Sequence, residues 1–132
     1  MVKREATFQI KFGHWLKEVW LTRGGNQAGA FELKATEGQS VPFDMVKPHQ
    51  STALIAAKRG KFYYKIADDS FGVKPFDCFA MSGVQAFVVV HFGDGSFCLI
   101  DIDVWENEKT ASDRKSLTAG RAREIANEVI EG

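Results

Sequence analysis

The 132-residue sequence predicts an α/β domain with a mixed sheet flanked by helices, and three observations carry that expectation. Ala86 to Phe92 is a run apolar at every position but His91, the pattern of a central strand covered on both faces. Gly93-Asp94-Gly95 turns that run into Phe97 to Ile102, an antiparallel hairpin partner. Phe8, Phe12, Trp15, Leu16 and Val19 recur at helical spacing, so residues 5–20 read as an amphipathic helix.

The remaining elements follow in order. Gly24-Gly25-Asn26 breaks the chain after the first helix. Residues 29–36 read as a strand, and Pro42 and Pro48 bracket a loop. A helix is expected from His49 to Arg59 with Gly60 as its C-cap. On that helix Gln50, Leu54 and Ala57 share one face, which turns Gln50 inward. Phe62 to Ile66 and Phe76 to Met81 read as two strands separated by the turn Asp68-Asp69-Ser70-Phe71-Gly72. Asp103 to Asp113 reads as a loop or short helix, with Asp101 and Asp103 on the solvated face of an outer strand. A last helix is expected over 117–130, gathering Ile125, Ala126, Val129 and Ile130 on one side.

Length and composition point to one domain spanning residues 1–132, large enough to bury a core without covalent staples. Apolar residues make up 45% and charged residues 26%, which excludes neither enzyme nor binding module but does exclude a disordered chain. No apolar run reaches membrane-spanning length, and Met1-Val2-Lys3-Arg4-Glu5 lacks the apolar core of a signal peptide. A cytoplasmic protein without a membrane partner is therefore expected. Cys78 and Cys98 have no metal-ligand spacing and read as buried thiols of a reducing compartment rather than a disulfide.

The net charge of zero hides an asymmetry. Residues 1–75 carry 12 Lys/Arg against 7 Asp/Glu, a net +5, while residues 76–132 carry 5 against 10, a net −5. Lys47, Lys58, Arg59, Lys61, Lys65 and Lys74 are candidates for a nucleic-acid face, with ordinary solvated charges as the alternative.

The chemistry-bearing feature is Glu32-Leu33-Lys34 within Ala30-Phe31-Glu32-Leu33-Lys34-Ala35. In a strand, alternate side chains share a face, so Glu32 and Lys34 point one way while Phe31, Leu33 and Ala35 point the other. A carboxylate beside an amine on an otherwise apolar strand suits a site that holds a divalent cation and steadies a water near a phosphodiester. A solvated cross-face ion pair accounts for the same residues.

Three segments taken together resemble the RecU-type Holliday junction resolvases and their small phage relatives, within the PD-(D/E)xK nuclease superfamily. They are Gly29 to Thr36, then Val41-Pro42-Phe43 leading to Pro48-His49-Gln50 and Leu54, then Phe87 to Val90 with Phe97 to Ile100. The resemblance covers residues 29–103 and implies a restriction-endonuclease-like mixed sheet flanked by helices. It implies that Glu32 and the Leu33 carbonyl bind Mg²⁺ or Mn²⁺, that Lys34 orients or acidifies the attacking water, and that Gln50 lies near the metal. His49 is implied as a phosphate or structural contact.

The sequence departs from the family pattern at one carboxylate. An aspartate is expected about a dozen residues before the Glu-x-Lys, yet Val19 to Ala28 contains no acid. Asp77, in Lys74-Pro75-Phe76-Asp77-Cys78-Phe79, is the expected replacement, its strand lying beside that of Glu32 so that both carboxylates hold the metal. An edge-strand acid or a salt bridge to Lys34 or Lys65 is the competing account. Glu5 and Glu18 are possible accessory ligands, and Lys47, Lys61, Lys65 and Lys74 are the expected DNA contacts.

The resemblance thus implies a metal-dependent endonuclease that cuts branched DNA at four-way junctions, in a bacterial or phage-infected cell. Paired cuts need two active sites, so a homodimer is expected, with Trp15 and Trp20 offering spare aromatic area. Another DNA substrate for the same fold, and a non-catalytic nucleic-acid-binding module, are the alternatives.

Overall fold

The strand from Gln85 to His91, apolar from Ala86 to Val90, is the one on which the rest of the molecule is assembled. In the computed structural model, residues 2–67 and 74–131 are described, with side chains from residue 7 onward. The elements are α1 (Val2–Glu18), β1 (Gly29–Ala35), β2 (Ser40–Pro42), α2 (Pro48–Arg59), β3 (Phe62–Lys65) and β4 (Cys78–Met81). They continue as β5 (Gln85–His91), β6 (Phe97–Asp101), α3 (Ile102–Ala111), β7 (Ser116–Thr118), α4 (Ala119–Ile125) and β8 (Glu128–Ile130). The turn expected at Asp68–Gly72 lies outside the described residues.

The main sheet has the order β1-β5-β6-β8. β1 runs parallel to β5, and β5–β6 and β6–β8 are antiparallel, so the sheet is mixed. β5 is internal and β-branched, and both of its faces are covered. Ala86, Val88 and Val90 meet Leu54 of α2 and Ile102 and Trp105 of α3 on one side. Phe87 and Val89 meet Phe8 and Phe12 of α1 and Trp20 on the other. Burial of each such large side chain contributes roughly 1.5–3 kcal/mol.

The β5–β6 hairpin forms where the glycines direct it. Gly95 takes φ 91°, and the Phe92 amide donates to the Ser96 carbonyl at 3.1 Å across the turn.

The C-terminal third corrects the single helix expected over 117–130. Leu117 pairs with Val41 in the β2–β7 ribbon, α4 occupies Ala119–Ile125, and Ala126 turns extended at ψ 142°. β8 then pairs with β6, Phe97 opposite Ile130 and Cys98 opposite Val129. A strand sends Val129 and Ile130 to opposite faces, and they do join opposite cores. The otherwise unpaired edge of β6 supplies backbone partners that an isolated helical turn would not.

Asp101 and Asp103 are not on an outer strand surface. Asp101 ends β6 and caps α3, its carboxylate accepting from the Asp103 amide at 2.8 Å. Asp103 to Asp113, read as loop or short helix, is mostly the ten-residue α3.

Two burial expectations also change. Cys98 is buried but Cys78 is exposed, because it lies on a two-stranded ribbon rather than in the main sheet. Trp20 is buried and its indole N–H donates to the Gln27 carbonyl at 2.6 Å, so it offers no spare area for a dimer. No helix among the described residues is long and apolar enough to cross a membrane.

Candidate functional site

β1 is an edge strand of mixed character, and its alternation sorts the site. Phe31, Leu33 and Ala35 pack into the core beneath α1, whereas Ala30 packs into the core beneath α2. Glu32 and Lys34 share Ala30's face and hence α2's side of the sheet. The Lys34 Nζ lies 3.2 Å from a Glu32 carboxylate oxygen, with side chains 15% and 28% exposed.

The phase of the β1–β5 ladder settles where the backbone of β1 points. The Thr36 amide donates to the His91 carbonyl at 2.9 Å, so the polar groups of Glu32 and Lys34 also face β5. Those of Phe31, Leu33 and Ala35 therefore face the open edge. Among the described residues the Leu33 carbonyl, next in sequence to the Glu32 carboxylate, is thus an oxygen donor with no strand paired to it.

α2 brings the second part of the site. Pro48 occupies its first turn, where a missing N–H costs nothing. Gln50 reaches back so that its Oε1 accepts from the Lys47 amide at 2.9 Å, which fixes the side chain at the mouth of the helix. Gln50 is half-buried rather than fully inward, and His49 beside it is exposed. Glu32, His49, Gln50, Phe62, Tyr64 and Met81 are among the residues lining a cleft of about 450 Å³. The structure therefore gathers Glu32, Lys34, Gln50 and His49 in one neighbourhood.

Asp77 is placed differently from the expectation. β4 pairs with β3, not with β1, and the Glu32 strand is bonded only to β5 in the main sheet. The Asp77 side chain is 90% exposed and its carboxylate lies 3.7 Å from Lys74, so it is not the buried acid among aromatics that the sequence suggests. Phe76 and Phe79, its flanking aromatics, are themselves exposed because the β3–β4 ribbon has open faces.

The Asp77 register still bears on the site. The Ile66 amide donates to the Asp77 carbonyl at 2.8 Å, continuing the β3–β4 pairing that sets Tyr64 opposite Phe79. Facing positions of an antiparallel pair share a face, so Asp77 lies on the same ribbon face as Tyr64 and Met81, which line the Glu32 cleft. It stands two residues, roughly 7 Å, beyond Phe79 along that strand.

The accessory candidates lie apart. α1 covers the sheet face opposite Glu32, so Glu18, exposed near its C-terminal end, is carried by the far layer. Glu5 belongs to the same helix, and its side chain lies outside the described residues.

Of the basic candidates, Lys47, Lys61 and Lys65 are exposed, and Lys74 is half-buried and ion-paired with Asp77. Lys58 is engaged by Asp101 at 2.8 Å and Asp103 at 2.7 Å, and Arg59 also pairs with Asp103. These hydrogen bonds push Lys58 upward and hold the Asp103 carboxyl below its ordinary range, through Arg59 first and Lys58 second. Lys58 and Arg59 thus tie α2 to α3 rather than forming a free basic face.

Phe62, Tyr64 and Met81 are cleft residues that the sequence reading did not single out. Their signal was available in the alternation of β3 and its register with β4, once the two strands are taken as one ribbon. A larger depression of about 560 Å³ lies between α3 and α4, but its Arg121 is already paired with Glu108 and Glu124.

No protein-family model, curated protein or solved structure matches this chain.

Proposed function

We propose that the Glu32–Lys34 cleft is the active site of a metal-dependent endonuclease of restriction-endonuclease-like fold, acting on branched DNA and most specifically on four-way junctions. The observation that carries the reading is the Glu32 carboxylate, half-buried at the wall of an open cleft, with the Lys34 ammonium 3.2 Å from it on the same edge strand. An acid–amine pair bound for solvent would not ordinarily be set on the helix-covered face of a main sheet.

The available donors fit a hard divalent cation. Glu32 and the edge-facing Leu33 carbonyl are oxygen donors of the kind Mg²⁺ and Mn²⁺ prefer. Asp77 is proposed as the second carboxylate, on the cleft-side face of the neighbouring β3–β4 ribbon rather than on a strand beside Glu32. Among the described residues no group of three or more His, Cys, Asp and Glu side chains stands together to hold an ion. When bound, the ion lowers the pKa of a coordinated water and polarises the scissile phosphate.

The chain's own residues do the rest. Lys34, held beside Glu32, offsets negative charge accumulating on the phosphate as water attacks. Gln50, its Oε1 held by the Lys47 amide, lines the cleft with an amide N–H₂ able to donate to water or phosphate. His49, exposed at the same rim, and Lys47, exposed just before it, are placed to contact the DNA backbone. Paired nicks at a junction require two such sites and hence a symmetric dimer.

The test is cleavage of a synthetic four-way junction beside a linear duplex of the same arms, with Mn²⁺ and with chelator, for wild type and Glu32→Ala. Paired symmetric nicks in the junction, lost with chelator and in the variant, are expected. Equal cutting of the duplex would keep the nuclease and discard junction specificity. Binding without cutting would reduce the site to a salt-bridged strand on a DNA-binding module.

A further inference from the structure

The β3–β4 ribbon has a second face that the Glu32 cleft does not use. Alternation along the chain sends Lys61, Tyr63 and Lys65 to that face, away from Phe62 and Tyr64. Across the ladder they stand beside small side chains, with Tyr63 opposite Ala80 and Lys65 opposite Cys78. Tyr63 is 67% exposed, the highest exposure among the large hydrophobic side chains described. The Cys78 thiol, its diagonal neighbour across the ladder, pushes the Tyr63 hydroxyl above its ordinary pKa. Lys61, Tyr63, Ala80 and Ser82, with Phe62 and Met81 of the cleft-side face, line a shallow depression of about 460 Å³ at the base of the ribbon.

The ribbon is fixed at its base. The Ser82 hydroxyl donates to the Gly60 carbonyl at 2.6 Å, and the Val84 amide donates to the Ala57 carbonyl at 3.1 Å. Both bonds tie it to the end of α2, whose beginning carries His49 and Gln50. An exposed aromatic ring on an anchored strand, with one ammonium two residues before it and another two after, repeats at roughly 7 Å intervals. That spacing is comparable to the phosphate separation of an extended single strand. Among the described residues of this face there is no acid, since Asp77 lies on the other face with Lys74.

We infer that this outer face is a track for an unpaired DNA strand, on which Tyr63 stacks against one base while Lys61 and Lys65 contact the flanking phosphates. The inference rests on the nuclease reading of the neighbouring cleft and specifies its substrate, since a branch point offers unpaired or splayed bases that a linear duplex does not. An aromatic platform between cations is the common solution for sequence-tolerant single-strand binding.

The experiment is fluorescence anisotropy in chelator, with a labelled oligo(dT) strand and a linear duplex of equal length. Wild type is expected to prefer the single strand, and Tyr63→Ala to weaken it about tenfold or more while Tyr63→Phe stays within twofold. Lys61→Gln and Lys65→Gln should each reduce the slope of log affinity against log salt by about 0.7. Emission of Tyr63→Trp should be quenched when oligo(dT) binds. All three side chains are exposed, so circular dichroism should be unchanged. Equal binding of Tyr63→Ala, an unresponsive Tyr63→Trp, or no wild-type binding to oligo(dT) would each overturn the inference. Because no cleavage is read, oligo(dT) binding that survives failure of the junction assay would remove the nuclease reading and leave the track standing.

Discussion

Lys34 and Glu32 form an ion pair of 3.2 Å in which the cation is the more buried partner, at 15% exposure against 28%. That asymmetry makes the two residues unequal on mutation. Glu32→Gln leaves an ammonium largely shielded from water without its counter-charge, whereas Lys34→Met replaces it with an apolar side chain of similar length. Glu32→Gln should therefore lower stability by about 1 kcal/mol, more than Lys34→Met, and the double variant should recover part of the loss. Urea denaturation of the four proteins reads the cycle; a Lys34→Met variant less stable than Glu32→Gln would contradict it. Cleavage, measured alongside, should fall by about 10²-fold or more in either single variant.

Asp77 separates function from stability. Its side chain is exposed and forms an ion pair with Lys74, so Asp77→Asn should change stability by less than about 0.5 kcal/mol. If Asp77 supplies the second carboxylate, that variant abolishes cleavage while DNA binding in chelator is retained. Cleavage at the wild-type rate would remove Asp77 from the site and leave Glu32 as its lone carboxylate.

The two cysteines should differ in their reactivity. Burial pushes the Cys98 thiol up from 9.0 to about 11, while Cys78 is exposed on the ribbon. With Ellman's reagent at pH 8, Cys78 is expected to react promptly and Cys98 only on unfolding. Because the folded pKa of Cys98 is raised, its contribution to stability is complete below pH 9 and is lost as pH climbs toward 11. Cys98→Ala should flatten that alkaline limb, as followed by thermal melts across the range.

The Arg59–Asp103–Lys58 cluster predicts an acid limb of opposite sense. The folded Asp103 carboxyl lies below its usual 3.8, so its contribution is present above that pH and disappears as pH falls through the depressed value. Removing both cations with Arg59→Met and Lys58→Met should flatten the stability profile below pH 4. An unchanged acid limb would show that the tie between α2 and α3 makes no net contribution.

How legible each part was depends on the range of the interaction that decides it. Alternation alone places Glu32 and Lys34 opposite Phe31 and Leu33, because a strand has a two-residue period wherever it sits. The covered central strand at 86–92 and its glycine turn into 97–102 are equally local, as is the helix over α2. The Glu32 half of the site was therefore readable from the chain. Its Phe62, Tyr64 and Met81 wall was not, since it depends on a ribbon pairing and on where that ribbon docks.

Residues 117–130, Cys78 and Asp77 show the same division from the other side. The sequence by itself determined which side chains share a face, where the chain turns, and which acid and amine stand together on β1. Only the tertiary structure decided that β6 captures Val129 and Ile130 as a strand, that β4 joins β3 rather than β1, and that Asp77 consequently faces solvent and Lys74. Side-chain faces follow from backbone periodicity within one segment. The partner of an edge is settled by competition among all the edges the folded chain presents, and unpaired backbone groups make that competition energetically decisive.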